Sequence, residues 1–506
     1  MAGRPSNKRW VLIAMALAFT MTMIDATIVS VALPTIQRDL DLSNTERVWI
    51  VNAYLLVYTV SIAAAGKFGD RLGQRRIFVI GLVVFTLASA AAGLAPSGEL
   101  LIAARAVEGL GGAMMTPTSQ TMVTQAFPQA ERGRALGIYS GVAAVGVAAG
   151  PLLGGALTSL GDWRLIFFVN VPVGIAAFLL TRYANPAEAK GESEQPVDWL
   201  GLSTLVGGLS ILVIALMQGD DWGFGSAAFL GALAASILLI AAFVRVELRR
   251  RYPLLQLRIF SNRDFLTDNL ETFFVRFALF GLSVYMPIFT QDVLGFSPLG
   301  AGAATLPATL MLFLFSPRAG KRYDRIGARP LFLVGSLLTA VGFAWLTVTI
   351  PEQSYPIMIP AYLLVGIGVA LITTPALTDA LNVAPAAQRG EAAGLVGTVQ
   401  QLGATVGVAV ITAVLAPLFT AELTDRLGAK EAAKVQTTLN ETQAGTKGPS
   451  ADASVIADAK DSFSYALAYS YISVIALMLA SFAVAFFLHR RGPPEDVDPD
   501  VRPVVG

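Results

Sequence analysis

The chain has 506 residues, of which 55% are apolar and 14% charged, with a mean hydropathy of +0.63. A soluble domain carries roughly 25% charged residues, so this length is not three or four soluble domains but one polytopic membrane protein. The 36 basic and 35 acidic side chains nearly cancel and form no long basic run, which excludes a disordered chain and a nucleic-acid partner. There is no cysteine, and the single histidine, His489, lies near the C-terminal end. Disulfides, thiolate metal sites, cysteine nucleophiles and multi-histidine centres are therefore excluded.

A membrane-crossing helix needs about 20 apolar residues. That criterion predicts fourteen spans, at 10–33, 46–65, 76–95, 99–125, 134–160, 163–182, 199–217, 224–246, 265–290, 298–317, 330–350, 356–380, 391–419 and 463–488. With the N-terminus inside, 26 basic residues fall in inside loops and tails and 8 in outside loops, with Arg105 and Arg276 in spans. Both termini are thus expected in the cytoplasm, with the protein in the cytoplasmic membrane. Residues 420–462 read as a polar external loop, whose second part, 453–461, holds helix formers that extend span 14 outward. The tail 492–506 reads as disordered.

The chain repeats itself. Gly66-x-x-x-Asp70-Arg71-x-Gly73-x-Arg75 returns 254 residues later as Gly320-x-x-x-Asp324-Arg325-x-Gly327-x-Arg329. Pro128-x-Ala130-x-Arg132-Gly133 returns as Pro385-x-Ala387-x-Arg389-Gly390, and Thr116-Pro117 as Thr374-Pro375. Three anchors in order describe a duplicated six-helix unit. Its copies are parallel repeats, since both enter from the same side. The predicted organisation is a first bundle over 1–182, two inserted helices over 183–247 and a second bundle over 248–491.

The loop Gly66-x-x-x-Asp70-Arg71-x-Gly73-x-Arg75-Arg76 resembles the signature loop of the major facilitator superfamily. So do Asp25, Thr27 and Pro34 in span 1, and Arg105, Glu108, Gly109, Gly111 and Gly112 in span 4. Gly146, Gly150, Pro151, Gly154 and Gly155 in span 5 resemble the motif associated with exporters of that superfamily. With fourteen spans, the whole resembles its 14-helix drug:proton antiporter branch. The resemblance implies two six-helix bundles plus two extra helices, and a cytoplasmic latch built on Asp70, Asp324 and their arginines. Gln74 departs from the basic residue usual there, which weakens the loop's charge network. Physically, the acid accepts hydrogen bonds from the start of the next helix or from neighbouring arginines. The glycines let helices approach closely, and Gly150-Pro151 bends span 5.

Ionisable groups in a span cost at least about 2.5–3.5 kcal/mol each at the centre, so each calls for a partner or a task. Asp25 lies about fifteen residues into span 1, roughly 22 Å from its inner end. Arg105 sits in the outer half of span 4, at comparable depth. Asp25 is open to two roles, a fixed ion-pair partner or a proton carrier. Burial favours its protonated form and Arg105 its ionised form, so their separation sets its charge. Glu108 lies one turn from Arg105. Glu271 and Arg276 lie deep in span 9 but do not share a face. Asp268 and Asp379 are expected at the interface, solvated or capping. Asn52, Tyr54, Tyr58, Met114, Met115, Arg276, Thr374, Gln400 and Gln401 are the candidate cavity residues.

A nucleotide-driven pump needs a G-x-x-x-x-G-K-[ST] loop, and no such run occurs. An enzyme needs a nucleophile–base or metal constellation, of which only carboxylates remain. The expected function is proton-driven export of amphipathic small molecules by a monomer, with no cofactor beyond the proton gradient. A dedicated exporter of one metabolite, antibiotic or lipid is the alternative, and a proton symporter the third.

Overall fold

The computed structural model describes residues 7–159, 162–184, 186, 198–223, 225–250, 253, 255–429, 431–432, 435, 453–490 and 492. The middle of the 420–462 loop, much of the 183–197 stretch and nearly all of the 492–506 tail lie outside these residues.

The first helices are α1 (Lys8–Asp39), α2 (Asn44–Leu72), α3 (Gln74–Gly93), α4 (Gly98–Ala126) and α5 (Gln129–Ser159). The turn α6 (Leu165–Phe168) and α7 (Asn170–Ala184) follow. Then come α8 (Trp199–Met217), the turn α9 (Gly219–Trp222) and α10 (Ala227–Glu247). The second set is α11 (Arg263–Ile288), α12 (Pro298–Ala304), α13 (Leu306–Ile326), α14 (Arg329–Thr349), α15 (Tyr355–Val383), α16 (Arg389–Leu427) and α17 (Ala453–Leu488). Residues 453–461 do extend the last helix, and α16 runs on through 420–427, which the sequence assigns to a loop.

Local chemistry fixes the helix ends. Ser43 and Glu46 form a reciprocal capping box at the start of α2, and Asp198, Ser226, Asn262 and Ser297 cap α8, α10, α11 and α12. Gly73 and Gly327, matched positions of the repeat, turn α2 into α3 and α13 into α14 with φ of 103° and 79°. A side chain at either would be strained, which is why the repeat has glycine there.

Among the described residues, eleven helices are long and apolar enough to cross a membrane, and a twelfth if Gln129–Val147 and Leu152–Thr158, bent by 41° around Gly150-Pro151, count as one span. The sequence predicts fourteen. α4 misses the criterion because Glu99, Arg105 and Glu108 put charge in one half and Thr116, Thr118, Ser119, Gln120, Thr121, Thr124 and Gln125 put polar groups in the other. The segment expected over 298–317 is interrupted at Thr305, and its long part carries Arg318, Lys321, Arg322, Asp324 and Arg325 at one end.

Helices α1–α7 pack mainly on one another, as do α11–α17. Tyr54, Phe78, Phe85 and Tyr139 fill the first core, and Phe289, Phe332, Phe343 and Tyr471 the second. α10 lies outside both, held by α8, which itself touches α2 and α16. Leu230, Ile237 and Leu238 on α10 are exposed, as a lipid-facing surface requires. The two sets meet chiefly through α2 on α16 and α5 on α13.

Candidate functional site

The basic loops and their acids gather at one end of the bundle, called here the basic end. Asp70 accepts hydrogen bonds from the backbone N–H of Gly390 (2.9 Å) and Glu391 (2.6 Å), at the start of α16. Asp324 accepts from Gly133 (3.0 Å) and Arg134 (3.2 Å), in the opening turns of α5. Asp70 therefore sits on the positive end of a helix from the opposite set, and Asp324 on the second turn of one. The sequence assigns these carboxylates to their own next helix or to arginines, and the structure corrects that. The two repeated motifs are each other's partners, crosswise.

Glycine makes the contact possible. A Cβ at Gly66 would collide with the Gly390 carbonyl, and one at Gly320 with the Gly133 carbonyl. Gln74 donates to Asp70 at 2.7 Å, so the departure from a basic residue adds a bond to the acid. Lys67 pairs with Glu391 across the same junction at 3.1 Å, and Arg132 donates to Asn382 at 2.9 Å. Of the expected arginines, Arg329 bonds the Ala485 and Phe486 carbonyls on α17. Arg325 is exposed, and Arg71 and Arg75 are half-buried.

The second constellation lies deep in the first set. Arg105 Nη1 is 2.6 Å from Asp25 Oδ2 and 2.6 Å from Glu108 Oε2, and its Nε donates to the Ile50 carbonyl at 3.3 Å. Its guanidinium lies 4.3 Å from the Tyr54 ring centroid. Asn170 Nδ2 donates to Asp25 Oδ1 and to Ser89 Oγ, each at 3.0 Å. Exposures of 0% for Asp25, 1% for Arg105 and 0% for Glu108 mean that water neither screens nor solvates them. Two carboxylates thus share one guanidinium. Both Asp25 oxygens accept hydrogen bonds, whereas Glu108 Oε1 is buried without a partner.

The glycines of α4 and α5 shape this site. Gly109 meets the Tyr54 backbone and Gly111 the Phe85 backbone, bringing α2 and α3 hard against α4. Gly146, Gly150 and Gly154 face Thr20, Thr27 and Ile28, seating α5 along the α1 segment that carries Asp25. Gly155 is only in ordinary contact with Val31, and Pro151 lies at the bend.

Other candidates scatter. Glu271 accepts from Ser481 on α17 at 2.6 Å and does not join the Asp25 trio. Tyr54 packs under Arg105 and stacks on Tyr58, whose hydroxyl donates to Thr116 at 3.0 Å. Met115 is buried in the first core, and both it and Met114 pack on Gly81 of α3, because that face of α4 is spent on α3. Thr374 Oγ1 is buried without a partner, Arg276 donates to Gln400 at 3.2 Å, and Asn52 and Gln401 are half-buried.

Asp268 and Asp379, expected at the interface, are buried instead. They flank His489 Nε2 at 3.4 and 3.1 Å, and Tyr323 donates to Asp379 at 2.6 Å. Burial opposes charge on His489, but Asp268 and Asp379 outweigh it and push its pKa up to about 11. The imidazolium ties the end of α17 to α11 and α15. Distance in sequence hid this cluster, as it hid Ser89 and Asn170; only Asn170, a lone amide in an apolar span, offered a signal.

The chain is similar to known proteins over nearly its full length. It is 32% identical over 99% of its length to the tetracenomycin C resistance and export protein of Streptomyces glaucescens, covering 95% of that protein. It is 35% identical over 82% of its length to the multidrug resistance protein Stp of Mycobacterium tuberculosis, covering 77% of it. The solved structure of a double-tryptophan XylE mutant superimposes with a TM-score of 0.66 at 15% identity, over 96% of this chain and 97% of that one. The Major Facilitator Superfamily model matches residues 15–408. The repeat, the crosswise motifs and these similarities together identify the chain as a member of the major facilitator superfamily.

Proposed function

We propose that this protein is a proton-coupled exporter of amphipathic small molecules, working by alternating access as a monomer in the cytoplasmic membrane. In this reading all fourteen predicted segments cross the bilayer and both termini are cytoplasmic. They form two six-helix bundles, over 1–182 and 248–491, with two helices inserted over 183–247. The electrochemical proton gradient drives transport, without a cofactor.

The observation that carries the reading is the buried Asp25–Arg105–Glu108 trio. With both acids ionised it has a net charge of −1 in a medium that cannot solvate it; with one proton it is neutral. Asp25 has both oxygens bonded, so the proton belongs on Glu108 Oε1 in this state. Opening the first bundle moves α1 relative to α4, changes which acid Arg105 serves and releases or takes the proton. Resistance and export proteins among the relatives support the outward direction. Their names span single-compound and multidrug export, which leaves a dedicated exporter as the second reading.

The test is uptake of a panel of amphipathic compounds into inverted membrane vesicles, with and without a pH gradient. The proposal expects accumulation that collapses with the gradient. Accumulation that follows a sodium gradient at fixed pH would overturn proton coupling.

The crosswise acids act as the cytoplasmic latch. Asp70→Asn replaces one acceptor oxygen by an amide that opposes a backbone N–H, at a cost of about 1–3 kcal/mol. The chain has no cysteine, so Ala63→Cys, which faces Gly394 across the junction, is a clean reporter. Its labelling from the cytoplasm should rise severalfold in the Asp70→Asn background. Equal labelling in both backgrounds would rule out the latch.

A further inference from the structure

Arg276 stands midway along α11, thirteen residues from its start and twelve from its end. That is roughly 20 Å from either end, beyond the reach of a snorkelling side chain. A guanidinium stays charged under any condition the membrane offers. The fold shows how it satisfies such a group: Arg105 has two carboxylates, a carbonyl and an aromatic face. Arg276 has one hydrogen bond, from Nη2 to the Gln400 amide oxygen at 3.2 Å, and its buried Nε has no partner. Among the described residues no acid pairs with it. Glu271, the nearest acid along the helix, is turned toward Ser481.

Its neighbours lie at the junction between the bundles. Gln400 belongs to α16, the helix that meets α2, and Tyr58 of α2 lies within reach of the Arg276 charge. Tyr58 is stacked on Tyr54, with ring centroids 6.0 Å apart. The position thus joins an uncompensated cation and an amide, with the buried Tyr58 ring within reach of the charge, near the junction of α16 and α2.

We infer that Arg276 is the recognition site for an anionic group on the cargo, and that the protein exports amphipathic aromatic acids. A carboxylate matches the guanidinium fork in plane and charge, and it supplies the counter-ion the fold withholds. Gln400 orients the fork, and Tyr58 receives the adjoining ring. The inference rests on the exporter reading and narrows it to one substrate class. It also has an electrical consequence. A monoanion leaving in exchange for one proton moves two charges per cycle, so the membrane voltage drives it as well as the pH gradient.

Three probes sharing a dansyl ring separate the possibilities: dansylglycine (anion), its methyl ester (neutral) and dansylcadaverine (cation). Binding to the purified full-length protein in detergent is read by dansyl fluorescence. The wild type should bind dansylglycine about tenfold or more tighter than the ester, the scale of one charge-assisted hydrogen bond. Arg276→Gln should erase that preference, and Arg276→Lys should restore part of it, which shows that charge rather than folding is at issue. In vesicles, dansylglycine accumulation should respond to voltage at fixed pH gradient, and that of dansylcadaverine should not. A wild type that prefers the ester or the cation, or an Arg276→Gln variant that keeps the anion preference, overturns the inference. Accumulation of the cation with dansylglycine excluded overturns it while leaving the exporter reading intact. Failure of all three probes to accumulate under a pH gradient overturns both.

Discussion

Asp25→Asn is expected to abolish pH-driven accumulation while leaving the protein folded and inserted. With one acid gone, Arg105 and Glu108 form a neutral pair in every conformation, and the trio no longer needs a proton. The asparagine still accepts one bond from Arg105, so packing is kept. One proton moving down one pH unit supplies about 1.4 kcal/mol, roughly a tenfold gradient of a neutral cargo. The wild type should therefore accumulate about tenfold per pH unit, and the variant should only equilibrate. Glu108→Gln should behave in the same way, since either acid completes the charge imbalance. Vesicle uptake at two imposed gradients reads this directly. An Asp25→Asn protein that still transports uphill would move the coupling site elsewhere, with Glu271 the next buried acid to test.

Arg105→Ala should have the largest effect on stability. It strands two buried carboxylates, and breaking a buried ion pair by removing one partner costs about 3–5 kcal/mol. An exposed pair such as Lys8–Glu131, at 42% and 48% exposure, is worth about 1 kcal/mol or less. The melting temperature in detergent should fall far more for Arg105→Ala than for Lys8→Ala. The triple variant Arg105→Ala, Asp25→Asn, Glu108→Gln should recover much of the loss, because no uncompensated charge remains. A triple variant as unstable as Arg105→Ala alone would mean that packing, rather than charge, is what Arg105 provides.

Much of this architecture is legible in the sequence because membrane proteins obey few rules strictly. Long apolar runs have no option but helix, and glycine at 73 and 327 follows from the positive φ of the turns. Arg105, Asp25 and Glu108 could be singled out one by one, since a charge in a span is costly wherever it lies. Their company could not. Periodicity gives Glu108 as a neighbour of Arg105, but Asn170, Ser89 and the Ile50 carbonyl come from other helices. The crosswise bonding of Asp70 and Asp324 was hidden for a like reason. The repeat reveals equivalent positions within the two halves, whereas the contacts join non-equivalent ones. A methionine on a glycine-rich helix suits a cavity and a close helix junction equally well, so the sequence does not reveal that Met114 and Met115 pack on Gly81. The apolar-helix count falls below fourteen where the predicted spans carry charged and polar side chains, in α4 and α13, since hydropathy penalises both.

In the proposed cycle Asp25 and Glu108 share one proton around Arg105 and exchange it for cargo. Counting protons tests it most directly. Inverted vesicles loaded with a pH-sensitive dye receive a transported compound, and lumenal proton loss is measured against the amount of compound taken up. The account predicts about one proton per molecule for the wild type and none for Asp25→Asn. One proton per molecule in the Asp25→Asn variant would contradict it.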